Sequence, residues 1–89
     1  MKGIITVIGK DKVGIIYGIS KILSENNVNV EDISQTVLQD YFTMMMLVNL
    51  SNVKCDFNEL KELLESYGVE IGLSIKIQRE EFFNTMHNI

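Results

Sequence analysis

Gly3-Ile4-Ile5-Thr6-Val7-Ile8, closed by Gly9 and followed by Lys10-Asp11-Lys12-Val13-Gly14-Ile15-Ile16, is the stretch on which the fold turns. Its β-branched run forms a strand, and near-continuous apolar character predicts a central strand covered on both faces. Asp11 is then placed to cap a helix whose period runs over 12–26. Ile15, Ile19 and Ile22 stand at i, i+4 and i+7 with Ile16 and Leu23 beside them, while Lys21, Ser24 and Glu25 fall toward solvent. Asn26-Asn27 closes this helix, because Asn tolerates the left-handed backbone that ends helices.

Outward from that unit, Val28 and Val30 share one face of a second strand. The next large apolar residue, Ile33, comes three positions on, with Val37 at an even spacing after it. An odd step in a period of two predicts a β-bulge near Glu31-Asp32, and the polar run from Ser34 to Gln39 marks an edge strand. A tight turn at Gln39-Asp40 leads into a strand over 41–50 that is apolar on both sides. Phe42, Met44, Met46 and Val48 lie on one face, and Tyr41, Met45 and Leu47 on the other. Asp56 caps a second helix with the stripe Phe57, Leu60, Leu63, Leu64 and Tyr67, and Gly68 is expected to end it. A fourth strand then alternates, with Val69, Ile71, Leu73, Ile75 and Ile77 inward. The tail, Arg79–Asn88, is expected to form a short helix with Phe82, Phe83 and Met86 on one side. The order is βαββαβ, and right-handed crossovers interleave its two halves. The expectation is an α+β, ferredoxin-like sandwich: a four-stranded antiparallel sheet, two helices on one face, strands one and three central, and a short C-terminal helix. Residues 1–89 form a single domain on this reading, with the core over 1–78 and the helical tail over 79–89.

Composition agrees. Eighty-nine residues, 46% hydrophobic and 22% charged with no Pro and no Trp, predict one globular domain, a whole protein rather than a fragment. Disorder and a disulfide scaffold are excluded. So short a chain hides about 60–65% of its unfolded surface, so a spare apolar face is expected to find a partner chain. The single Cys fits a reducing cytoplasm. The N-terminus does not read as a signal peptide, and no apolar run is long enough to span a membrane. Net charge is −4, unevenly spread: residues 1–24 hold four lysines against one acid, and the remainder four bases against eleven acids. An acidic domain lacks the phosphate contacts that nucleic acid demands.

The turn at 9–14 has the G-x4-G spacing of a phosphate-binding loop but lacks the Lys-Ser/Thr that must follow, since Ile15-Ile16 stand there. Two readings remain. One is a plain strand-to-helix turn whose Asp caps and whose glycines permit close packing. The other is a shallow site in which the helix start, Lys10 and Lys12 receive a carboxylate while Asp11 pairs with an ammonium, the demand of a zwitterionic amino acid. Elsewhere the chemistry is thin. Cys55 has no His or second Cys near it, and His87 has no partner at ligand spacing. The adjacent acids Glu31-Asp32 and Glu80-Glu81 diverge in regular structure. Met44-Met45-Met46 cannot face one ion and reads as packing. No catalytic residue, metal site or cofactor is expected. Three other users of this fold also fail. The central strands lack the aromatic and basic face of an RNA binder, residues 9–14 lack the Cys-x-x-Cys of a metal chaperone, and they lack the Arg of an acylphosphatase-like enzyme.

With the turn written Gly9-Lys10-Asp11-Lys12-Val13-Gly14, and Asn29-Val30-Glu31-Asp32-Ile33-Ser34-Gln35 opening strand two, the chain resembles the ACT domain along its whole length. It is most similar to small stand-alone ACT proteins, and to the ACT halves of the glycine-cleavage regulatory protein. Ser34-Gln35-Thr36-Val37 and Tyr41-Phe42-Thr43-Met44 sharpen the likeness to the stand-alone group. Val13 stands where many members carry Pro. The resemblance implies a non-catalytic regulatory module, a homodimer formed through strand two and helix one. It would bind an amino acid or similar small carboxylate where the first turn meets strand two of a neighbour. Carried over by position, the turn side is Lys10, Asp11, Lys12, Val13, Gly14 and Ile15, and the strand side is Asn29, Val30, Glu31, Asp32 and Ile33. The second reading keeps the ACT shape without a ligand, as a module that binds a protein partner.

Overall fold

The computed structural model describes residues 1–10 and 14–81. They form β1 (Lys2–Lys10), α1 (Ile15–Glu25), β2 (Asn29–Leu38), β3 (Tyr41–Asn49), α2 (Phe57–Ile71) and β4 (Ser74–Arg79). The strands make one antiparallel sheet in the order β2-β3-β1-β4, so β1 and β3 are central as expected. Both helices pack on one face. There Ile5, Val7, Met44, Met46, Val48 and Ile75 meet Ile19, Leu23, Leu60 and Leu64 in one apolar cluster. No polar or charged residue among those described is buried.

Turn chemistry reads through to the backbone. Asn27, at φ 59, ends α1, and the Val28 N–H donates back to the Leu23 carbonyl at 2.9 Å. Val28 and Leu23 are both buried, which gives this helix end its apolar contact. Gln39, at φ 55, opens the two-residue turn joining β2 to β3. The strand-two register shifts between Val30 and Asp32, which leaves Glu31 as the bulged residue. Asp56 caps α2 through its carboxylate, which accepts from the Glu59 N–H at 2.8 Å.

Five expectations are corrected. First, among the described residues only one face of β1 is packed, while Ile4 and Thr6 on the other are half-buried. Ile5 and Val7 are buried against the helices, whereas Ile8 on the opposite face is 48% exposed. The preference of β-branched residues for strands is enough to account for the apolar run at Ile8. Second, α1 begins at Ile15, and its N-cap position is Gly14 at φ 87 with no side-chain cap. A left-handed residue is easiest for Gly, so the second glycine of the turn sets where the helix starts. Asp11, Lys12 and Val13 lie outside the described residues. Third, Gly68 does not end α2. It is buried within the helix, where an added Cβ would stand 2.7 Å from the Leu73 carbonyl oxygen. Gly72, at φ 79, is the terminator, and the Leu73 N–H returns to the Gly68 carbonyl at 2.8 Å. Fourth, β4 therefore starts at Ser74, and Val69, read as an inward strand residue, is a helical residue 82% exposed. Fifth, Leu63 leaves the α2 stripe and is 45% exposed. Glu80 and Glu81 are helical, and the remainder of the expected terminal helix, residues 82–89, lies outside the described residues.

Candidate functional site

The described members of the two groups of expected site residues, Lys10, Gly14 and Ile15 in one and Asn29–Ile33 in the other, lie at opposite ends of the sheet. Lys10 pairs with Tyr41, and Tyr41 with Leu38, at the end where β1 gives way to the turn. Asn29 pairs with Asn49, and Asn49 with Lys2, at the other end. Eight residue steps of β1 separate these rows, about 26 Å at 3.3 Å per residue. Among the described residues of one chain, Lys10 and the start of strand two do not meet.

At the turn end, Gly14 and Ile15 line a cleft of about 480 Å³ with Tyr67, Glu70 and Gly72, between the start of α1 and the end of α2. The Ile15 side chain belongs to the core, at 4% exposure, so its contribution here is backbone. The first helical bond runs from the Gly18 N–H to the Gly14 carbonyl at 3.0 Å, so the amides ahead of Gly18 have no partner within α1.

At the other end, Asn29 and Val30 line a larger groove of about 780 Å³ between the flank of α1 and the start of β2. Ser20, Ser24, Asn27 and Asn52 complete it, so its polar groups are hydroxyls and amides without a charged side chain. Sequence reasoning placed Ser24 toward solvent, where it is exposed, but did not single out Ser20, Ser24, Asn27 or Asn52 as lining a groove. The available signal was the row Ile16, Ser20, Ser24 at i, i+4 and i+8, which forms one flank of α1.

Glu31 and Asp32 turn to the face away from the helices. Glu31 accepts from the Lys2 ammonium at 2.9 Å and from the Asn49 side-chain amide at 3.1 Å, tying the bulge to β1 and β3. Asp32 accepts from the Ile33 backbone N–H at 2.9 Å. Ile33 lies on the helix side, 42% exposed. The hydrogen bond from Lys2, then that from Asn49, holds the Glu31 carboxyl below its ordinary 4.5. The same bond to Glu31 raises the Lys2 ammonium above its ordinary 10.5. A lowered acid stabilises the fold above its unfolded pKa, and that help is lost as pH falls through its folded value. A raised base stabilises below its unfolded pKa, and loses this as pH rises through its folded value. The pair is therefore intact across the neutral range. Glu31→Gln is expected to flatten the acid limb of melting temperature against pH while leaving a small effect at neutral pH, because both groups are solvated. An acid limb unchanged from wild type would show that the tie does not operate in solution.

Cys55 is half-buried, and burial pushes its thiol up from the ordinary 9.0, which leaves it a poor nucleophile at neutral pH. Among the described residues, no group of three His, Cys, Asp or Glu side chains is placed to hold a metal ion. No described helix is long and apolar enough to cross a membrane.

Nine of the ten residues of β2 are exposed and Val30 is half-buried, so this edge presents an unpaired backbone ladder flanked by apolar side chains. Ile33 and Val37 lie on its helix side at 42% and 60% exposure, and Ile16 and Tyr17 on α1 are 44% and 74% exposed.

The sequence profile described as the ACT domain matches residues 3–78. A UPF0237 protein of Clostridium perfringens is 52% identical over 89 residues, covering the whole of both chains. Among solved structures, an ACT domain protein from Streptococcus pneumoniae superposes with a TM-score of 0.80 at 48% identity, covering 93% of each chain. The ligand-free regulatory subunit of aspartate kinase from Thermus thermophilus superposes with a TM-score of 0.65 at 28% identity, covering 86% of this chain and 50% of that one. With the βαββαβ fold, a profile match across the whole sheet, and a full-length relative at this identity, the chain belongs to the ACT domain family.

Proposed function

We propose that this protein is a non-catalytic regulatory module of the cytoplasm that binds an amino acid, or a similar small carboxylate, as a homodimer formed through β2 and α1. The observation that carries this reading is the separation of the two residue groups along the sheet. A two-fold axis at the middle of β2 runs the partner's strand antiparallel to it. That operation sets the Asn29–Ile33 end of each chain beside the turn end of the other, so two half-sites become two whole ones. The turn then supplies Lys10 and Lys12 for a carboxylate, with Asp11 for an ammonium, at the start of α1. Gly14 and the Ile15 backbone shape the approach, and Val13 completes the set of turn residues carried by this reading. Asn29 brings an amide from the partner side, with Val30 and Ile33 as apolar walls. Glu31 is committed to Lys2 and Asn49, and Asp32 to the Ile33 N–H, so both act by shaping the bulge.

The bare, exposed ladder of β2 with its apolar flanks supports the dimer. The aspartate kinase relative, a regulatory subunit by name, supports the regulatory reading. No nucleic acid or membrane is required by it.

Thermal denaturation against the twenty amino acids and several keto acids, each at about 5 mM, tests it. A ligand with a dissociation constant near 50 μM adds about 2.7 kcal/mol and raises the melting temperature by roughly 10 °C or more. The expected result is one selective rise, lost in Asp11→Ala and reduced in Asn29→Ala. A flat response across the whole panel would favour the ligand-free interaction module instead.

A further inference from the structure

The groove of about 780 Å³ beside the start of β2 differs in chemistry from the turn. Ser20 and Ser24 stand one turn apart on the flank of α1, Asn27 follows the end of that helix, and Asn52 lies in the loop between β3 and α2. All four residues are exposed, so their hydroxyls and carboxamides face water. Val30 and Val53, both half-buried, add apolar wall. No described Lys, Arg, His, Asp or Glu lines the groove.

We propose that this groove receives the side chain of the bound amino acid, and that it selects a side chain that is uncharged and both donates and accepts hydrogen bonds: a carboxamide or a hydroxyl. The inference rests on the amino-acid reading above and adds the class of ligand to it.

The two half-sites divide the ligand between them. A carboxylate and an ammonium are common to all amino acids, and the mixed charge of the turn suits both. The side chain is what differs, and it falls to the half-site of the other chain. Hydroxyls and carboxamides each offer a donor and an acceptor. An acidic side chain entering this groove would give up water without meeting a cation, and a basic one would meet no anion. An aliphatic side chain would displace water from the four polar groups and leave them without partners. A carboxamide or hydroxyl answers those groups in kind, with its carbon atoms against Val30 and Val53.

Backbone bonds hold the groove in shape. The Lys54 N–H donates to the Asn26 carbonyl at 3.0 Å, which ties the loop carrying Asn52 to the end of α1. The Val28 N–H closes the same helix end on the Leu23 carbonyl at 2.9 Å. Asn27 and Asn52 therefore sit on backbone that is already joined, which limits the ordering that binding would require.

Isothermal titration calorimetry on the full chain tests this, with the near-isosteric pairs glutamine and glutamate, asparagine and aspartate, and threonine and valine, and with serine, lysine and leucine beside them. The tightest ligand is expected among glutamine, asparagine, threonine and serine, at least about tenfold tighter than any charged or aliphatic member. Asn52→Lys puts an ammonium into the groove at an exposed position, and is expected to tighten glutamate or aspartate by about tenfold over wild type. Asp11→Ala, run in parallel, separates the outcomes. Tightest binding of a charged or aliphatic amino acid, lost in Asp11→Ala, would overturn the role of the groove and leave the amino-acid reading standing. So would acidic ligands that Asn52→Lys does not move while a neutral one binds. No binding by any of the nine would overturn both.

Discussion

Leu64→Ala is expected to lower the free energy of unfolding by about 3–5 kcal/mol, leaving a domain of this size close to unfolded at 37 °C. Leu64 is fully buried on α2 and belongs to the cluster that joins both helices to the central strands. Removing its isobutyl group forfeits the transfer free energy of those atoms and opens a cavity between a helix and a sheet. The pleated surface below cannot collapse to fill it. Urea denaturation reads the effect as a lower midpoint with an unchanged slope. Its neighbour provides the control, since Leu63→Ala, at a side chain 45% exposed, is expected to cost about 1 kcal/mol or less. Equal losses at the two positions would contradict the placement of α2 on the sheet.

Gly68→Val is expected to destabilise by about 3 kcal/mol, against its local propensity. Valine is the better helix former by a few tenths of a kcal/mol, so an exposed helical position would gain. At Gly68 the new Cβ would stand 2.7 Å from the Leu73 carbonyl oxygen and 3.1 Å from Ile75 Cγ1. The first neighbour is backbone, held by the return bond from the Leu73 N–H to the Gly68 carbonyl that closes the helix. Relief therefore requires α2 to lift from β4, and overpacking of this kind costs about 1–3 kcal/mol. The valine methyls add to the Cβ overlap. Differential scanning calorimetry would show the loss. A variant as stable as wild type would mean that α2 and β4 are not in close contact.

Both predictions rest on α2, where the sequence was easiest to misread. The stripe Leu60, Leu64 and Tyr67 and the Asp56 cap were legible, because apolar period and capping chemistry are local. The helix end was not. Gly68 is a good terminator by composition, and Val69, Ile71 and Leu73 continue in an apparent strand alternation. Gly68 is instead packed closely against the Leu73 carbonyl and Ile75, and the left-handed backbone that ends the helix falls at Gly72. The β1–α1 turn misled in the same way. Asp11 has the better capping chemistry, but the helix starts where Gly14 takes a left-handed backbone.

The bulge at Glu31 was legible as a break in the spacing from Val30 to Ile33. Its purpose was not, because the partners Lys2 and Asn49 are distant in sequence and reach Glu31 only across two strand pairings. The candidate site divides along the same line. Each half is a local motif and can be read residue by residue. That the halves lie at opposite ends of one sheet is a fact of strand order, and a single chain's motifs do not carry it.

The proposed homodimer requires that the exposed edge of β2 join two copies of this chain. Sedimentation equilibrium tests it most directly, on the wild type beside Ile33→Lys, a change at an exposed edge residue that leaves the core untouched. A wild-type mass of about twice the 10.2 kDa of one chain is expected at micromolar concentration. For Ile33→Lys a single-chain mass with unchanged circular dichroism is expected. A wild type that sediments as one chain, or an Ile33→Lys variant that keeps the doubled mass, would contradict it.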